Sequence, residues 1–385
     1  MSSAKASLLI FITIFVVGCH HTREEALIPF NEFLRIDTLL VPRSTEFHYA
    51  IMPRWQSRII EDTSYLIISS EGQTDLQLLV LNSEIMRYDH IISLPKNGPN
   101  GFRTNSPSFH FHNFDSIFVF PTTLNKILLY NSQSALINVH QFSDDHTLSF
   151  DANEQQQGGV LYENTLYISS IPFANPNDAN FTQKTHVAHK LNLSTNNISV
   201  FANYPERFFN KVIPTSFLGG QIIQAFDNVI VVNNFHSDSI EFHNPTNKTS
   251  GLISTGMSGF DHLVGQIHTL NNQGQESFGL HLMYPNYYKI LYNPYDQQIY
   301  RFSRHLNPLY KNYNLNEVMN EFKNNNIKLL QNTLVVTSSR LEKKYYKLPF
   351  EVEFAIPIKN GLIVSSSTFE QEDYDVFFKL YLDNK

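Results

Sequence analysis

The stretch FLRIDTLLV, residues 33–41, reads as a strand, yet the strand-like runs that follow can pair among themselves and leave it over. What it pairs with decides the fold. Downstream lie SYLIISS (64–70), DLQLLVLN (75–82), DSIFVFP (115–121), NKILLYN (125–131), NTLYISSIP (164–172), DNVIVVNNF (227–235), HSDSIEFHN (236–244) and NGLIVSSST (360–368). Each is short and bounded by Asn, Asp, Gly, Pro or Ser, which is the hairpin pattern. Runs of similar order begin near Tyr65, Ser116, Thr165, Asn228, Gln298 and Gly361, at intervals of 51, 49, 63, 70 and 63 residues. Repeats of about 40 to 50 residues with four strands apiece indicate propeller blades, since one small sheet cannot bury both of its faces alone. The blades read as residues 46–95, 105–145, 155–206, 220–257, 278–349 and 350–385. The last offers only three strands, VEFAIP, GLIVSSS and DVFFKLYL. Adding residues 33–41 as its outer strand supplies the fourth, closes the ring and removes two sheet edges together.

The expected fold is therefore all-β: one β-propeller domain over residues 33–385, with six four-stranded antiparallel blades. Seven blades stay open as an alternative, because 278–349 divides at the Asn-rich segment 312–326. That segment holds the one clear helix, Asn314 to Lys323, with capping-box spacing from Asn314 to Glu317. Its Leu315, Val318, Met319 and Phe322 share a face, as an insertion covering a blade requires.

Ahead of the strand, Leu8 to Val17 is apolar apart from Thr13 and follows a segment whose only charge is Lys5. As a helix it would reach roughly 15 Å, half the hydrocarbon core of a bilayer, so it cannot span. A basic start, a short apolar centre and a small-residue exit describe a signal peptide over residues 1–18. The exit, Val16-Val17-Gly18-Cys19, holds the chain's only cysteine. It resembles the lipobox of bacterial lipoproteins, which implies cleavage after Gly18 and acylation of Cys19, with residues 19–32 as a tether. The alternatives are a plain signal peptide with a chance cysteine and a buried apolar segment. A thiol consumed by lipid leaves no disulfide or Cys-based metal site elsewhere. Several acyl chains, at about 0.8 kcal/mol per buried methylene, hold a protein stably to a membrane. His20 stands where the retention signal of enteric inner-membrane lipoproteins has Asp, so resemblance favours the outer membrane, on its periplasmic face or at the cell surface. Arg23-Glu24-Glu25 resembles the export tag of Bacteroidetes surface lipoproteins, and reads equally as a solvated linker.

Composition supports the strand count and excludes one class of partner. The net charge is −7, or −8 without residues 1–18, so nucleic acid, whose phosphates need a basic face, is not an expected partner. Aromatics make up 13% and charged residues 16%, while Asn supplies about one residue in ten. Phe, Tyr, Ile and Val favour pleated surfaces and Asn favours turns.

The segment SLPKNGPNGFRTNSPSFHFHNFDSIFVF, residues 93–120, resembles an uncharacterised family of Bacteroidetes lipoproteins with a predicted six-bladed propeller. The shared features are the turn Gly98-Pro99-Asn100-Gly101 and the strand Asp115 to Val119. LYNPYDQQIYRF (291–302) and KNGLIVSS (359–366) are similar to that family's tyrosine-rich strand pair and closing blade. The resemblance implies a fold and a location, with no activity to carry over. Physically, Pro99 presets φ at the first central turn position and Asn100 tolerates a left-handed conformation at the second. A loop-tip binding role for Asn100 and Arg103 is the functional alternative.

Catalytic signatures are missing from the sequence. GMSGF (256–260) lacks nucleophile-elbow spacing, and there is no H-E-x-x-H, EF-hand loop or P-loop. The sharpest constellation is His110-Phe111-His112 on the expected inner strand of the second blade. Alternation places both imidazoles on one face, about 7 Å apart, where they could meet a metal or anion if that face lines the channel. A hydrogen-bonded or solvated strand face is the plainer reading. Glu370, Glu372 and Asp373 read as a hairpin tip rather than a Ca²⁺ site. No metal and no cofactor is implied. The leading functional expectation is a monomeric, non-enzymatic, lipid-anchored propeller that binds an unknown protein or glycan ligand at a loop-built face or the central funnel. Its competitors are a propeller enzyme acting on a carbohydrate or lactone-type substrate and a structural subunit of an outer-membrane complex.

Overall fold

The computed structural model describes residue 29 and residues 35–382, apart from 48–52, 73, 105–106, 122–124, 143–147, 150–158, 170, 173–177, 205, 211–221, 227, 258–278, 280–281, 327, 360 and 367–372. The lipobox-like segment with Gly18 and Cys19, the tether 19–32 apart from Pro29, Glu370 and Glu372 lie outside the described residues.

Six four-stranded antiparallel sheets form the blades. From the inner strand outwards, the first comprises Arg54–Ile60, Thr63–Glu71, Asp75–Asn82 and Arg87–Pro95, and the second Ser108–Asn113, Ser116–Phe120, Lys126–Tyr130 and Leu136–Gln141. The third has Val160–Tyr162, Thr165–Ser169, His186–Asn192 and Ile198–Asn203; the fourth has Ile222–Phe226, Val229–Asn233, Ser239–Asn244 and Thr249–Ser254. The fifth has Asn286–Asn293, Gln298–Leu306, Leu330–Thr337 and Lys343–Leu348. The sixth takes Ala355–Ile358, Gly361–Ser365 and Tyr374–Tyr381 from the end of the chain and Arg35–Pro42 from its beginning. The closing strand runs antiparallel to Tyr374–Tyr381 in unbroken register, from Arg35 opposite Tyr381 to Pro42 opposite Tyr374. The six inner strands touch in cyclic order, the sixth against the first.

The all-apolar centres of the second strands follow from this packing. A strand inside a blade has a neighbouring blade on each side, so both of its faces are buried and strict alternation disappears. Ile67 packs between the first and second blades, while its neighbours Leu66 and Ile68 join the cluster shared by the first, fifth and sixth. In SIFVF, Ile117 and Val119 face the first blade, and Phe118 and Phe120 face the third. Ile230 and Val232 face the third blade, while Val231 faces the fifth. The core is thus a ring of inter-blade clusters.

Asparagine turns the chain. Asn82, Asn192 and Asn244 each close the third strand of a blade, and their Oδ1 atoms accept from the N–H groups of Glu84, Ser194 and Thr246 at 3.0 Å. Four residues after each Asn the backbone is left-handed, at Met86, Asn196 and Lys248, with φ of 49°, 56° and 58°. Asn131 plays the same part in the second blade, accepting from Gln133 N–H at 3.1 Å.

The fifth blade is one blade, which removes the seven-bladed alternative. The interval between its second and third strands carries the helix Leu315–Lys323, whose capping box between Asn314 and Glu317 is present. Val318 is fully buried against Leu282 and Leu329, with Met319 partly buried beside them. Phe322, expected on the packed face, is 40% exposed, because the helix meets the blade through its first two turns. Gly279 permits this approach: a Cβ there would lie 2.4 Å from Leu315 Cδ1.

The closing strand supplies a test. Val41 is fully buried in the largest cluster, whereas Leu40, one residue away, is 50% exposed. Val41→Asp, by burying an unpaired carboxylate, is expected to cost more than about 4 kcal/mol, and Leu40→Asp under about 1 kcal/mol. Urea unfolding of both variants checks this, and equal losses would contradict the pairing.

Candidate functional site

Inner strands expose one edge to the axis, and their main-chain groups there need partners. The first blade supplies them to the second with a ladder of side chains at alternate positions. Arg54 Nη1 donates to Pro107 O at 2.6 Å, Gln56 Nε2 to Phe109 O at 3.2 Å, and Arg58 Nε to Phe111 O at 2.7 Å. Gln56 Oε1 also accepts from Phe111 N–H at 2.7 Å. The last rung reaches furthest: Arg58 Nη2 donates to Gly159 O of the third blade at 3.1 Å and to His110 Nδ1 at 2.8 Å.

A guanidinium only donates, so His110 Nδ1 accepts and the imidazole proton sits on Nε2. Burial, then the nearby Arg58 and His112, hold the His110 pKa well below the usual histidine value. His110 is therefore neutral at neutral pH, and its buried Nε2 has no partner among the described residues. Gly159 makes room for it: an added Cβ would come within 3.0 Å of His110 Nδ1. His112 is half-buried on the same strand face, its ring 6.1 Å from that of His110, and burial and Arg58 lower its pKa too. Burial likewise brings the Arg58 pKa down to about 10, which leaves the group charged at neutral pH.

Where the inner strands end, the axis widens into a funnel of about 210 Å³ lined by Ser57 and Arg58 of the first blade, Gln224 of the fourth, Leu291 and Tyr292 of the fifth and Pro357 of the sixth. No carboxylate is among its described lining residues. Arg58 is half-buried, and the solvent it still meets is that of the funnel. Its Nη1 has no protein hydrogen-bond partner among the described residues, because its three bonds use Nε and Nη2. Gln224 is only 6% exposed, and its carboxamide is likewise unpartnered there. Tyr292 stacks on Phe226, rings 5.0 Å apart, and so forms a rigid wall.

The residues singled out from sequence separate. His110 and His112 come together beside Arg58, but no group of three or more His, Cys, Asp or Glu side chains suited to a metal exists among the described residues. Asn100 and Arg103 lie in the connection from the first blade's outer strand to the second blade's inner strand, at the opposite end of the axis from the funnel. Gly101 N–H bonds Gly98 O at 3.2 Å across the turn, and Tyr130 Oη donates to Asn100 O at 2.6 Å. Arg103, not Asn100, takes the left-handed conformation, with φ of 60°, because the chain reverses there to carry Phe102 into the core. Arg58 and Gln224 were missed. The available signal was the polar alternation Arg54, Gln56, Arg58 in an otherwise strand-like segment.

The domain of unknown function DUF4221 matches residues 31–319, well over half of the chain. The chain belongs to the DUF4221 family. A solved member of that family from Bacteroides vulgatus ATCC 8482 is similar to it at 16% identity, with 91% of this chain and 97% of that one covered and a TM-score of 0.66. A candidate exported protein of Bacteroides fragilis NCTC 9343 is similar at 10% identity, covering 93% and 100%, with a TM-score of 0.55. Both likenesses concern the fold. No curated protein matches the chain. The six-bladed propeller of an uncharacterised family, expected from the sequence resemblance, is thus in place.

The histidine beside Arg58 makes a pH prediction for this DUF4221 protein. Native His110 resists protonation, whereas an unfolded histidine takes a proton near pH 6.5. The unfolded state then binds more protons as pH falls below that value, so stability declines with acidification and is unaffected above it. His110→Asn keeps an acceptor for Arg58 and removes the titration. Between pH 7 and 5 its melting temperature should fall less than that of the unmodified protein, measured by circular dichroism. Parallel curves would rule His110 out as the source.

Proposed function

We propose that this protein is a non-enzymatic, lipid-anchored envelope propeller that binds a small ligand in its axial funnel. The observation that carries the reading is the pairing in one cavity of an unpartnered guanidinium N–H and an unpartnered, nearly buried carboxamide. Buried polar groups are ordinarily satisfied within the protein, so groups left open in a concave site favour a ligand that completes them. The described lining holds no pair of carboxylates and no nucleophile beside a base, so the funnel fits recognition better than group transfer. Attachment rests on the lipobox-like Val16-Val17-Gly18-Cys19, and the outer membrane on the resemblance of the amino terminus.

Two measurements test the two parts. In a Bacteroides host fed an alkyne-labelled palmitate, the full chain should take up label and sediment with membranes, while Cys19→Ser loses both; label retained by that variant would refute the anchor. For the purified protein, a thermal-shift screen across charged and neutral sugars, amino acids and short peptides should yield ligands that raise the melting temperature by several degrees at saturation. A flat response to all classes would refute the binding reading.

A further inference from the structure

We infer that the funnel is a site for a single carboxylate group of a small molecule, gripped by Arg58 Nη1 and Gln224; this rests on the binding reading above and names its ligand class. The charge argument comes first. Among the described residues the funnel lining presents one cation and no carboxylate, in a chain whose net charge is −7. A guanidinium in a low-dielectric recess attracts an anionic oxygen far more strongly than it would in water. Arg58 is also fixed in place. Bonds to Phe111 O, Gly159 O and His110 Nδ1 tie it to two further blades, so little side-chain entropy remains to be lost on binding.

The geometry then narrows the anion. Only one face of the guanidinium is open, because Nε and Nη2 are already committed. A two-point fork onto Arg58 alone is therefore unavailable. One oxygen of a carboxylate can take Nη1, and the other is left for the carboxamide of Gln224 or the hydroxyl of Ser57, which share the cavity. At about 210 Å³ the space is smaller than the roughly 300–1,000 Å³ of sites for drug-sized ligands, as a single sugar acid or a chain terminus requires.

Multiply charged anions fit less well. The funnel opens at the end where each inner strand turns into the second, and those turns carry the exposed Glu61, Asp62, Asp115 and Glu163 and the half-buried Asp296. Lys359 is the cation found in the same set of turns among the described residues. Attraction to Arg58 and repulsion from this acidic rim both grow in proportion to ligand charge, but the cost of stripping water from the anion grows with the square of that charge, and one cation does not offset it for a dianion. A monoanion is thereby favoured over phosphate or a nucleotide.

Calorimetric titration of the purified full chain tests this with five probes: glucuronate, its neutral counterpart glucose, a tripeptide with a free C-terminus, the same tripeptide amidated, and inorganic phosphate. At least one carboxylate should bind tenfold or more tightly than its neutral counterpart. Preference for glucuronate assigns the site to sugar acids, and preference for the free peptide assigns it to chain ends. Arg58→Gln should weaken that probe at least tenfold. Because Arg58 also ties blades together, Gln224→Ala serves as the second variant; it removes no hydrogen bond within the protein and should weaken the probe severalfold at an unchanged melting temperature. Equal binding of charged and neutral partners, tighter binding of phosphate, or indifference to Gln224→Ala would overturn the inference. So would silence from every probe at millimolar concentration, while hits among other classes in the thermal-shift screen would leave the broader binding reading standing.

Discussion

Everything in this ring depends on one antiparallel pairing between segments more than 300 residues apart. Until Arg35–Pro42 lies along Tyr374–Tyr381, the sixth blade has three strands and an open edge. The pairing is reinforced by groups from three places in the chain. Arg43 Nε meets Asp375 Oδ1 at 2.8 Å in a partly buried ion pair, Arg43 N–H bonds Asp373 O at 2.9 Å, and Tyr88 of the first blade's outer strand donates to the other oxygen of Asp375. A salt bridge on an open surface would contribute little. Here Asp375 serves the closing strand and the neighbouring blade at once, so its removal strips partners from both.

The second constraint lies on the axis. Closure leaves six inner edges facing one another without room for another strand, and side chains take the place of main-chain partners. Besides the Arg54, Gln56 and Arg58 ladder, Asn233 Nδ2 donates to Tyr287 O at 3.0 Å, Asn293 Nδ2 to Ile358 O at 2.8 Å, and Ser64 Oγ to Pro357 O at 2.8 Å. Each bond crosses from one blade to the next. The polarity of the channel is therefore first a requirement of folding, and the proposed ligand site is a place where the supply of donors exceeds what the edge can accept.

This explains what was and was not legible in the sequence. Apolar runs such as SIFVF and VIVV, the Asn-terminated hairpins and the leftover FLRIDTLLV are local signals, and the architecture follows from counting them. The histidine pair was also readable, since a period of two fixes which residues share a face. Which of the two faces turns toward the axis is set by how blades assemble, and no local pattern records it. Arg58 reaches His110 from another blade, across 52 residues of chain, and meets Gly159 another 49 residues on. The turn Gly98-Pro99-Asn100-Gly101 shows the converse. Its residues read as a structural turn with a binding tip as the alternative, and what only the fold reveals is that it seats Phe102 in the core and offers the Asn100 carbonyl to Tyr130.

Two inter-blade arginines show what separates a proposed site from a pin. Arg301 is fully buried, and each of its three nitrogens has an acceptor: Nε on Asn233 Oδ1 at 2.7 Å, Nη1 on Thr255 Oγ1 at 3.2 Å, and Nη2 on the carbonyls of Asn234 and Ser237 at 3.1 and 2.6 Å. The Tyr287 ring covers its face at 3.8 Å. Neutral acceptors on every nitrogen offset the cost of burying the charge, and no nitrogen is left to offer. Arg58 uses the same chemistry with one nitrogen fewer engaged. Its fixed position comes from Phe111, Gly159 and His110, while the open Nη1 keeps contact with solvent in a recess that an anion can enter. The difference between the two guanidiniums is one open nitrogen, and on it the proposed ligand role of Arg58 depends.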